Sequence, residues 1–420
     1  MSEVVNIPQL RFPGFNGRWS CELFNNIVSV IDGDRGVNYP KSNDFFSDEY
    51  CLFLSAKNVT KNGFIFNETQ FIKKERDELL RKGKLSRGDI VLTTRGTVGQ
   101  FAFYSDEVTY NNIRINSGMV LLRNSNDNLL NSYFFKACNS FQISRQIKIV
   151  AFGSAQPQLT VKEINKIKIN LPTKPEQQKI AAFLTAVDNK IEQLSKKQAL
   201  LSEYKKGLMQ QIFSQAIRFK ADDGIEFPEW EEKKLGGVVD NVGGTALEKY
   251  TNPKETHKFI SIGNYGVDGK YIDNGQRVEL NNKTKTKLLD KDNLVMVLND
   301  KTAAGNIVGS TILIDESDSY IYNQRSERLI CKSELFPIFA WHYLNSKIFR
   351  KSVYSISQGG TQIYVNFPSV KELNFSLPSL LEQTKIANFL SSIDTKIEQV
   401  GGQLDESKQF KKALLQQMFV

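Results

Sequence analysis

The amino-acid sequence predicts an α+β protein in which two tandemly repeated mixed α/β domains are separated by two long antiparallel helices forming an intramolecular coiled coil. The first observation is a helical segment that occurs twice without a gap, at residues 176–213 and 382–419, an offset of 206. At that offset Lys179/Lys385, Phe183/Phe389, Asp188/Asp394, Lys190-Ile191-Glu192-Gln193/Lys396-Ile397-Glu398-Gln399 and Gln210-Gln211/Gln416-Gln417 are identical. The second is the apolar spacing inside that segment. The third is that strand-like runs of the first half return one period later, which makes each half one domain plus one helix.

In the first copy Ile180, Leu184, Val187, Ile191, Leu194, Leu201, Leu208 and Ile212 follow steps of four and three, interrupted by Gln198 and Lys205. In the second, Ile386, Leu390, Ile393, Ile397, Val400, Leu404, Leu414 and Met418 keep the seam, with Ser407 and Lys411 polar. Gly401-Gly402 is read as a weak point, and the last turns before Val420 are expected to need the first helix or a partner to order them. Thr173-Lys174-Pro175-Glu176 and Ser379-Leu380-Leu381-Glu382 have the hydroxyl-x-x-Glu form of a capping box. At 1.5 Å per residue each helix is a rod of roughly 57 Å. So narrow a stripe needs a long partner. A dimer of separate chains satisfies it, but two stripes of matching length in one chain favour an intramolecular pair.

The chain in order begins with a docking segment, 1–19, containing Leu10-Arg11-Phe12-Pro13-Gly14-Phe15 and Trp19; Ile225-Glu226-Phe227-Pro228-Glu229-Trp230 opens the second half. A globular domain at 20–172 carries the strand-like runs Tyr50 to Leu54, Asp89 to Thr93 and Met119 to Leu122, and helical stretches from Glu75 to Arg81 and Leu129 to Ile147. A spacer helix at 173–219 follows, then a second domain at 220–378 and a second spacer helix at 379–420. Phe53 to Asn58 matches Phe259 to Asn264, Asn139-Ser140 matches Asn345-Ser346, Gly153 with Gln156 matches Gly359 with Gln362, and Leu171-Pro172 matches Leu377-Pro378. The globular parts have diverged far more than the helices. The helices therefore share one task and the domains carry two different ones.

Composition narrows the function classes. A net charge of +9 is compatible with a polyanionic partner without requiring one. No apolar run approaches the roughly 18 residues of a membrane helix, and Met1-Ser2-Glu3 opens no signal peptide, so a cytoplasmic protein without a membrane partner is expected. Cys21, Cys51, Cys138 and Cys331 form no CxxC pair, and His257 and His342 are the only imidazoles. Zinc, disulfide and His-based triad chemistry are thereby disfavoured; no metal ligands and no catalytic constellation emerge.

Polar turns after apolar strands are the binding candidates. Thr94 and Arg95 lie in the turn after Leu92, and Asn299, Lys301 and Thr302 in its counterpart. Arg can contact phosphate or guanine, and Asn or Gln can read adenine. Neither turn has a Walker A or dinucleotide pattern. The other candidates are Arg35, Lys41, Lys57, Asn58, Asn112, Arg114, Gln156 and Gln158 in the first domain, and Lys249, Tyr250, Asn264, Asn323, Gln324, Arg325, Gln362 and Tyr364 in the second. Each alone reads as a solvated loop residue; their weight is collective.

The Leu-Pro…Glu-Gln…Lys-Ile-Ala…Asp…Ile-Glu string from Leu171 to Glu192, repeated from Leu377 to Glu398, resembles the specificity subunit of type I restriction-modification systems over essentially the whole chain. The resemblance implies that each globular unit is a target recognition domain reading one half of a bipartite site in double-stranded DNA. It implies that the helices act as a spacer and dock two methyltransferase (modification) subunits, with restriction subunits joining the larger complex. S-adenosylmethionine, ATP and magnesium would belong to those partners, and this chain would hold no cofactor. A coiled-coil adaptor with two protein-binding domains, and a stand-alone nuclease or methyltransferase, are the alternatives.

Overall fold

A computed structural model describes residues 7–151 and 158–420. The chain divides into two compact units, Met1–Leu194 with Gln403–Val420, and Ser195–Gly402. Each unit thus combines one globular half with stretches of both long helices.

In the first unit a four-stranded antiparallel sheet has the order Val28–Asp32, Met119–Asn124, Ile90–Thr93, Phe101–Phe103. The run Ile90-Val91-Leu92 has no polar alternation because both faces are covered. Ile90 and Leu92 join the core beneath the long helix, whereas Val91 joins a second core with Leu52, Ile113 and Leu121. A three-stranded sheet places Cys51–Phe53 between Phe71–Ile72, antiparallel, and Ile113–Arg114, parallel. Ser20–Leu23 pairs with Lys168–Leu171, so the strand that leads into the long helix is tied to the domain's first strand.

The second unit repeats the strand order of these three sheets. Its four-stranded sheet runs Val239–Gly243, Ser326–Cys331, Leu294–Val297, Thr311–Leu313, and its three-stranded sheet has His257–Ile260 between Arg277–Val278 and Tyr320–Tyr322. Glu231–Lys234 pairs with Asn374–Leu377. The two-core division recurs, with Leu294 and Met296 on one side and Val295 and Val297 on the other. The expected helix from Leu129 to Ile147 is two helices, Asn131–Cys138 and Phe141–Ala151. The break at Asn139-Ser140 is closed by local bonds, since the Asn139 amide donates to the Phe135 carbonyl at 2.8 Å and buried Ser140 accepts the Ile143 N–H at 3.4 Å. Pro337–Leu344 and Lys347–Ser355 are the counterparts, broken at Asn345-Ser346.

The long helices are Lys174–Phe213, of 40 residues, and Leu380–Gln417, of 38. None of the seam residues is exposed: Ile180, Leu184, Leu194, Ile212, Ile386, Leu390, Ile393, Val400, Leu404, Leu414 and Met418 are buried, and Val187, Ile191, Leu201, Leu208 and Ile397 half-buried. In the first unit the start of one helix, through Ile180 and Leu184, shares a core with the end of the other, through Leu414, Met418 and Phe419. In the second unit the roles exchange, with Ile386 and Leu390 beside Ile212 and Phe213. Both pairings are antiparallel.

The polar interruptions of the seam explain themselves in pairs. Lys411 reaches Asp188 at 2.7 Å, and Asp188 also receives Lys136 at 2.5 Å. Lys205, which stands at the repeat position equivalent to Lys411, reaches Asp394 at 2.6 Å. Within the second unit, a Cβ at Gly401 would stand 2.7 Å from the Gln198 amide nitrogen. Moving seven residues on, from Gln198 to Lys205, moves the partner seven residues back, from Gly401 to Asp394, as antiparallel packing demands. Gly401-Gly402 is no break: the helix continues through both. The final turns are ordered by the first unit, where the Phe419 and Val420 carbonyls accept from Gln142 at 2.6 Å and Asn170 at 2.7 Å.

The first turn of each helix departs from a capping box. The Ser379 hydroxyl does accept the Glu382 N–H, at 3.4 Å, but the glutamates themselves turn to arginines. Arg11 holds Glu176 with two bonds of 2.7 and 2.8 Å; Arg218 and the Trp230 indole hold Glu382 at 3.1 and 3.0 Å. Phe12 packs edge-on against Phe183 and Phe219 against Phe389, at 5.6 and 5.4 Å between ring centroids. The repeated docking pair is therefore Arg11-Phe12 with Arg218-Phe219, rather than Phe12-Pro13 with Phe227-Pro228. The adjoining Gln177 and Gln383 are buried, each donating to the preceding proline carbonyl at 2.9 Å and accepting a backbone N–H, of Leu130 and Phe336. That is the physical content of the Leu-Pro…Glu-Gln string. Among the described residues no helix is long and apolar enough to cross a membrane.

Candidate nucleic-acid interface

The polar turns gather at one end of the four-stranded sheet in each unit. In the first unit Thr94 and Arg95 both donate their backbone N–H to the Gly118 carbonyl, at 2.8 and 3.3 Å, and the Thr94 carbonyl accepts from Leu159 at 3.1 Å. Arg35 reaches the neighbouring Ser117 carbonyl at 3.2 Å and Asp32 at 3.1 Å. This places Arg35, Arg95 and Gln158, all exposed, around the 116–118 loop. Gln156 and Gly153 lie outside the described residues.

The second unit builds the same end with different chemistry. Asn299–Asp300 forms a short ladder with Ile363–Tyr364, in which Asn299 faces Tyr364. Leu298 donates to the Arg325 carbonyl at 2.9 Å, and Val365 to the Leu298 carbonyl at 2.8 Å. Asn299, Lys301, Arg325, Gln362 and Tyr364 are thereby brought together. The loop bearing Lys301 and Thr302 is pinned from within. Asp300 accepts from the Thr302 N–H and hydroxyl and from the Ile307 N–H at 2.8 to 2.9 Å, and Arg350 donates to the Asn306 and Val308 carbonyls at 2.8 and 2.9 Å. Burial pulls the Arg350 guanidinium down to about 10, partly offset by Asp300. Gly359 has φ +106°, and a Cβ there would collide with the Gln362 carbonyl, so glycine is what permits the turn that presents Gln362.

Beside this end lies a cavity of about 400 Å³ whose wall includes Glu248, Lys301, Asn323, Gln324 and Arg325. Glu248 accepts from the Asn323 and Gln324 amides, at 2.8 Å each. The Asn323 bond, with further backbone and Gln324 bonds, keeps the Glu248 carboxyl below its ordinary range. Lys249 projects over the ring of its own neighbour Tyr250 at 5.0 Å, and Tyr250 is half-buried against a small apolar core.

Several sequence candidates are structural instead. Arg114 is buried: four of the five N–H donors of its guanidinium are bonded, to the Asp77 carboxylate and to the Lys82, Asp77 and Leu80 carbonyls, so the side chain is spent on the fold. Asn58 and Asn264 are buried and each closes a short 3-10 turn, accepting the Ser55 and Ser261 N–H at 2.9 and 3.0 Å. Thr94 is buried through its side chain, and Asn323 is buried with its carbonyl oxygen committed to the Leu247 N–H at 2.9 Å. Lys57 is exposed but engaged with Glu68 at 2.6 Å, Lys41 is exposed and gives its backbone N–H to Asp44 at 2.8 Å, and half-buried Asn112 accepts the Leu52 N–H at its backbone carbonyl at 2.9 Å. Sequence reasoning passed over Glu248, Asp300 and Arg350. No spacing marks Glu248 and Arg350, whose partners lie 42 to 76 positions away, whereas Asp300 bonds locally to Thr302 and Ile307, a turn closure that an Asp two residues before a Thr could have signalled. Among the described residues no group of His, Cys, Asp and Glu is arranged to hold a metal ion.

A duplicated α+β module, each copy ending in a helix that packs antiparallel to segments of the other, defines a two-reader class of protein with a shared helical frame. The chain belongs to the family of the type I restriction modification DNA specificity domain, whose model matches residues 32–202 and 228–407. It is 29% identical over 398 residues to the type I restriction enzyme MjaVIII specificity subunit of Methanocaldococcus jannaschii, covering 92% of this chain and 86% of that one. It is 21% identical to the StySPI specificity subunit of Salmonella potsdam, covering 96% and 88%. The crystal structure of the type I restriction-modification S subunit from M. genitalium shares the fold, with a TM-score of 0.59 over 99% of both chains at 14% identity.

Proposed function

We propose that this chain is the DNA sequence-specificity subunit of a type I restriction-modification complex, each globular domain reading one half of a bipartite duplex site. The observation that carries this reading is the duplicated sheet topology, in which the same end of the four-stranded sheet presents Arg35, Arg95 and Gln158 in one unit and Lys301, Arg325, Gln362 and Tyr364 in the other. One scaffold with two different sets of polar side chains is what reading two different half-sites requires. The long helices set the distance between half-sites and dock two methyltransferase subunits, and restriction subunits join the complete assembly. Methylation with S-adenosylmethionine and ATP- and magnesium-dependent cleavage belong to those partners, and this chain is non-catalytic. The MjaVIII and StySPI relatives, named as specificity subunits, support the assignment.

The test is selection of duplexes from a randomised pool by the chain assembled with its methyltransferase subunits. A bipartite consensus with a fixed gap is expected, with affinity that falls steeply as salt rises because phosphate contacts release counterions. Absence of any sequence preference would overturn the reading, and methylation or cleavage by the isolated chain would show that it is an enzyme.

A further inference from the structure

The cavity in the second unit contains a combination that general affinity for DNA does not explain. A surface that only neutralises phosphates gains from cations and loses from carboxylates. Yet Glu248 stands in the cavity wall with Lys301 and Arg325, and it is held there: Asn323 and Gln324 both donate to its Oε1 at 2.8 Å. Asn323 is itself fixed, its side-chain oxygen taking the Leu247 N–H and its own N–H going to the Ile260 carbonyl at 3.0 Å. Glu248 therefore presents a positioned acceptor.

Arg325 supplies the opposite half. It occupies the tip between the strands Tyr320–Tyr322 and Ser326–Cys331 with φ +65°, in the left-handed region that a non-glycine residue enters only where its surroundings enforce it. The Leu298 N–H bonded to its carbonyl at 2.9 Å locks the backbone, while the side chain is exposed and, among the described residues, engaged in no ion pair. A fork of donors and a fixed carboxylate thus share one concave wall.

In the major groove a G·C pair offers two adjacent acceptors on guanine, O6 and N7, and one amino donor on cytosine. An arginine fork matches the first and a carboxylate the second. An A·T pair offers no such adjacent acceptor pair to a single fork, since adenine alternates N7 with an amino donor. We propose that this cavity reads one G·C pair in the half-site of the second domain, Arg325 bonding guanine and Glu248 accepting from the cytosine amino group, while Lys301 serves the phosphate backbone. The proposal rests on the specificity-subunit reading and assigns the residues within it.

The experiment repeats the duplex selection with the chain in complex with its methyltransferase subunits, as wild type and as Arg325→Ala, Glu248→Gln and Lys301→Ala. Arg325→Ala is expected to lower the preference for guanine at one position of one half-site by about ten- to a hundredfold. Glu248→Gln keeps the bonds to Asn323 and Gln324 within reach and is expected to relax the same base pair, leaving the other half-site unchanged. Lys301→Ala should weaken binding evenly across sequences and flatten the salt dependence. A wild type that selects a bipartite site while Arg325→Ala and Glu248→Gln, with unchanged melting temperatures, select the same site overturns the assignment and leaves the subunit reading intact. A wild type without sequence preference overturns both. If Glu248→Gln fails to fold, Arg325→Ala alone decides, because its side chain bonds nothing described in the protein.

Discussion

At the scale of single residues, the buried arginine of the first domain shows how a polar side chain is spent on the fold. Asp77 and Arg114 are both buried, and Lys84 closes on the same carboxylate at 2.5 Å. Burial acts to raise the Asp77 carboxyl, but the bonds from Lys84 and Arg114 outweigh it and hold it below its ordinary value of 3.8. A carboxyl depressed in the folded state contributes stability that is fully present above its unfolded value and is lost as pH falls through the folded one. Acid melting curves should therefore fall more steeply below pH 3.8 for the wild type than for Asp77→Asn, and run parallel above it. At pH 7 the variant, which leaves Arg114 without its counter-charge, should be less stable by about 3 kcal/mol. Equal slopes would show that this pair contributes nothing to the pH dependence. Sequence reading took Arg114 for a loop residue open to a ligand, because a lone basic residue carries no mark of burial, whereas it lies in the strand Ile113–Arg114. Its partner lies 37 positions away and has no motif of its own.

At the scale of elements, the long helices were the most legible part of the sequence, and the reason is physical. A seam residue is buried by its spacing alone, so Ile180, Leu390 and Leu414 could be placed without knowing what they touch. The polar interruptions at Lys205 and Lys411 were visible as positions but not as pairs, because pairing requires the antiparallel register. That register gives Lys205–Asp394, both side chains 13% exposed, and Lys411–Asp188. Polar groups at a seam specify register at some cost in stability. Removing either partner strands a largely desolvated charge, so Lys205→Ala and Asp394→Ala should each cost about 3 kcal/mol. The double variant should cost less than their sum, with a coupling of at least about 1 kcal/mol in a denaturation cycle. Additive losses would mean that the two charges do not interact. The neighbouring glycines give a second element-scale prediction. A Cβ at Gly402 meets nothing within 4 Å, so Gly402→Ala should stabilise by about 0.5–1 kcal/mol through helix propensity. Gly401→Ala must displace the Gln198 amide and should gain less. Thermal melting of the two variants checks the order.

At the scale of the whole molecule, duplication is what makes the two diverged halves comparable, and it separates what the frame does from what the readers do. The domain topology was only partly legible: the apolar runs Ile90 to Leu92 and Leu294 to Val297 announced strands, but that each divides two cores emerges only when the second sheet is seen to cover the other face. Under the proposed function, frame and readers are separable in an experiment. Inserting one heptad into the first long helix between residues 189 and 197, and one into the second between 402 and 410, adds about 10 Å to each at 1.5 Å per residue. Both insertions lie between the Asp188–Lys411 pair of the first unit and the Gln198–Gly401 contact of the second, so the seam and both ion pairs are kept. Since base pairs follow at 3.4 Å, the selected gap between half-sites should lengthen by on the order of three base pairs while both half-site sequences stay as they were. Exchanging residues 20–172 for the corresponding domain of a relative should do the reverse, changing one half-site and leaving the gap alone. Duplex selection reads both outcomes at once, and an unchanged gap in the lengthened protein would show that the helices do not set the spacing.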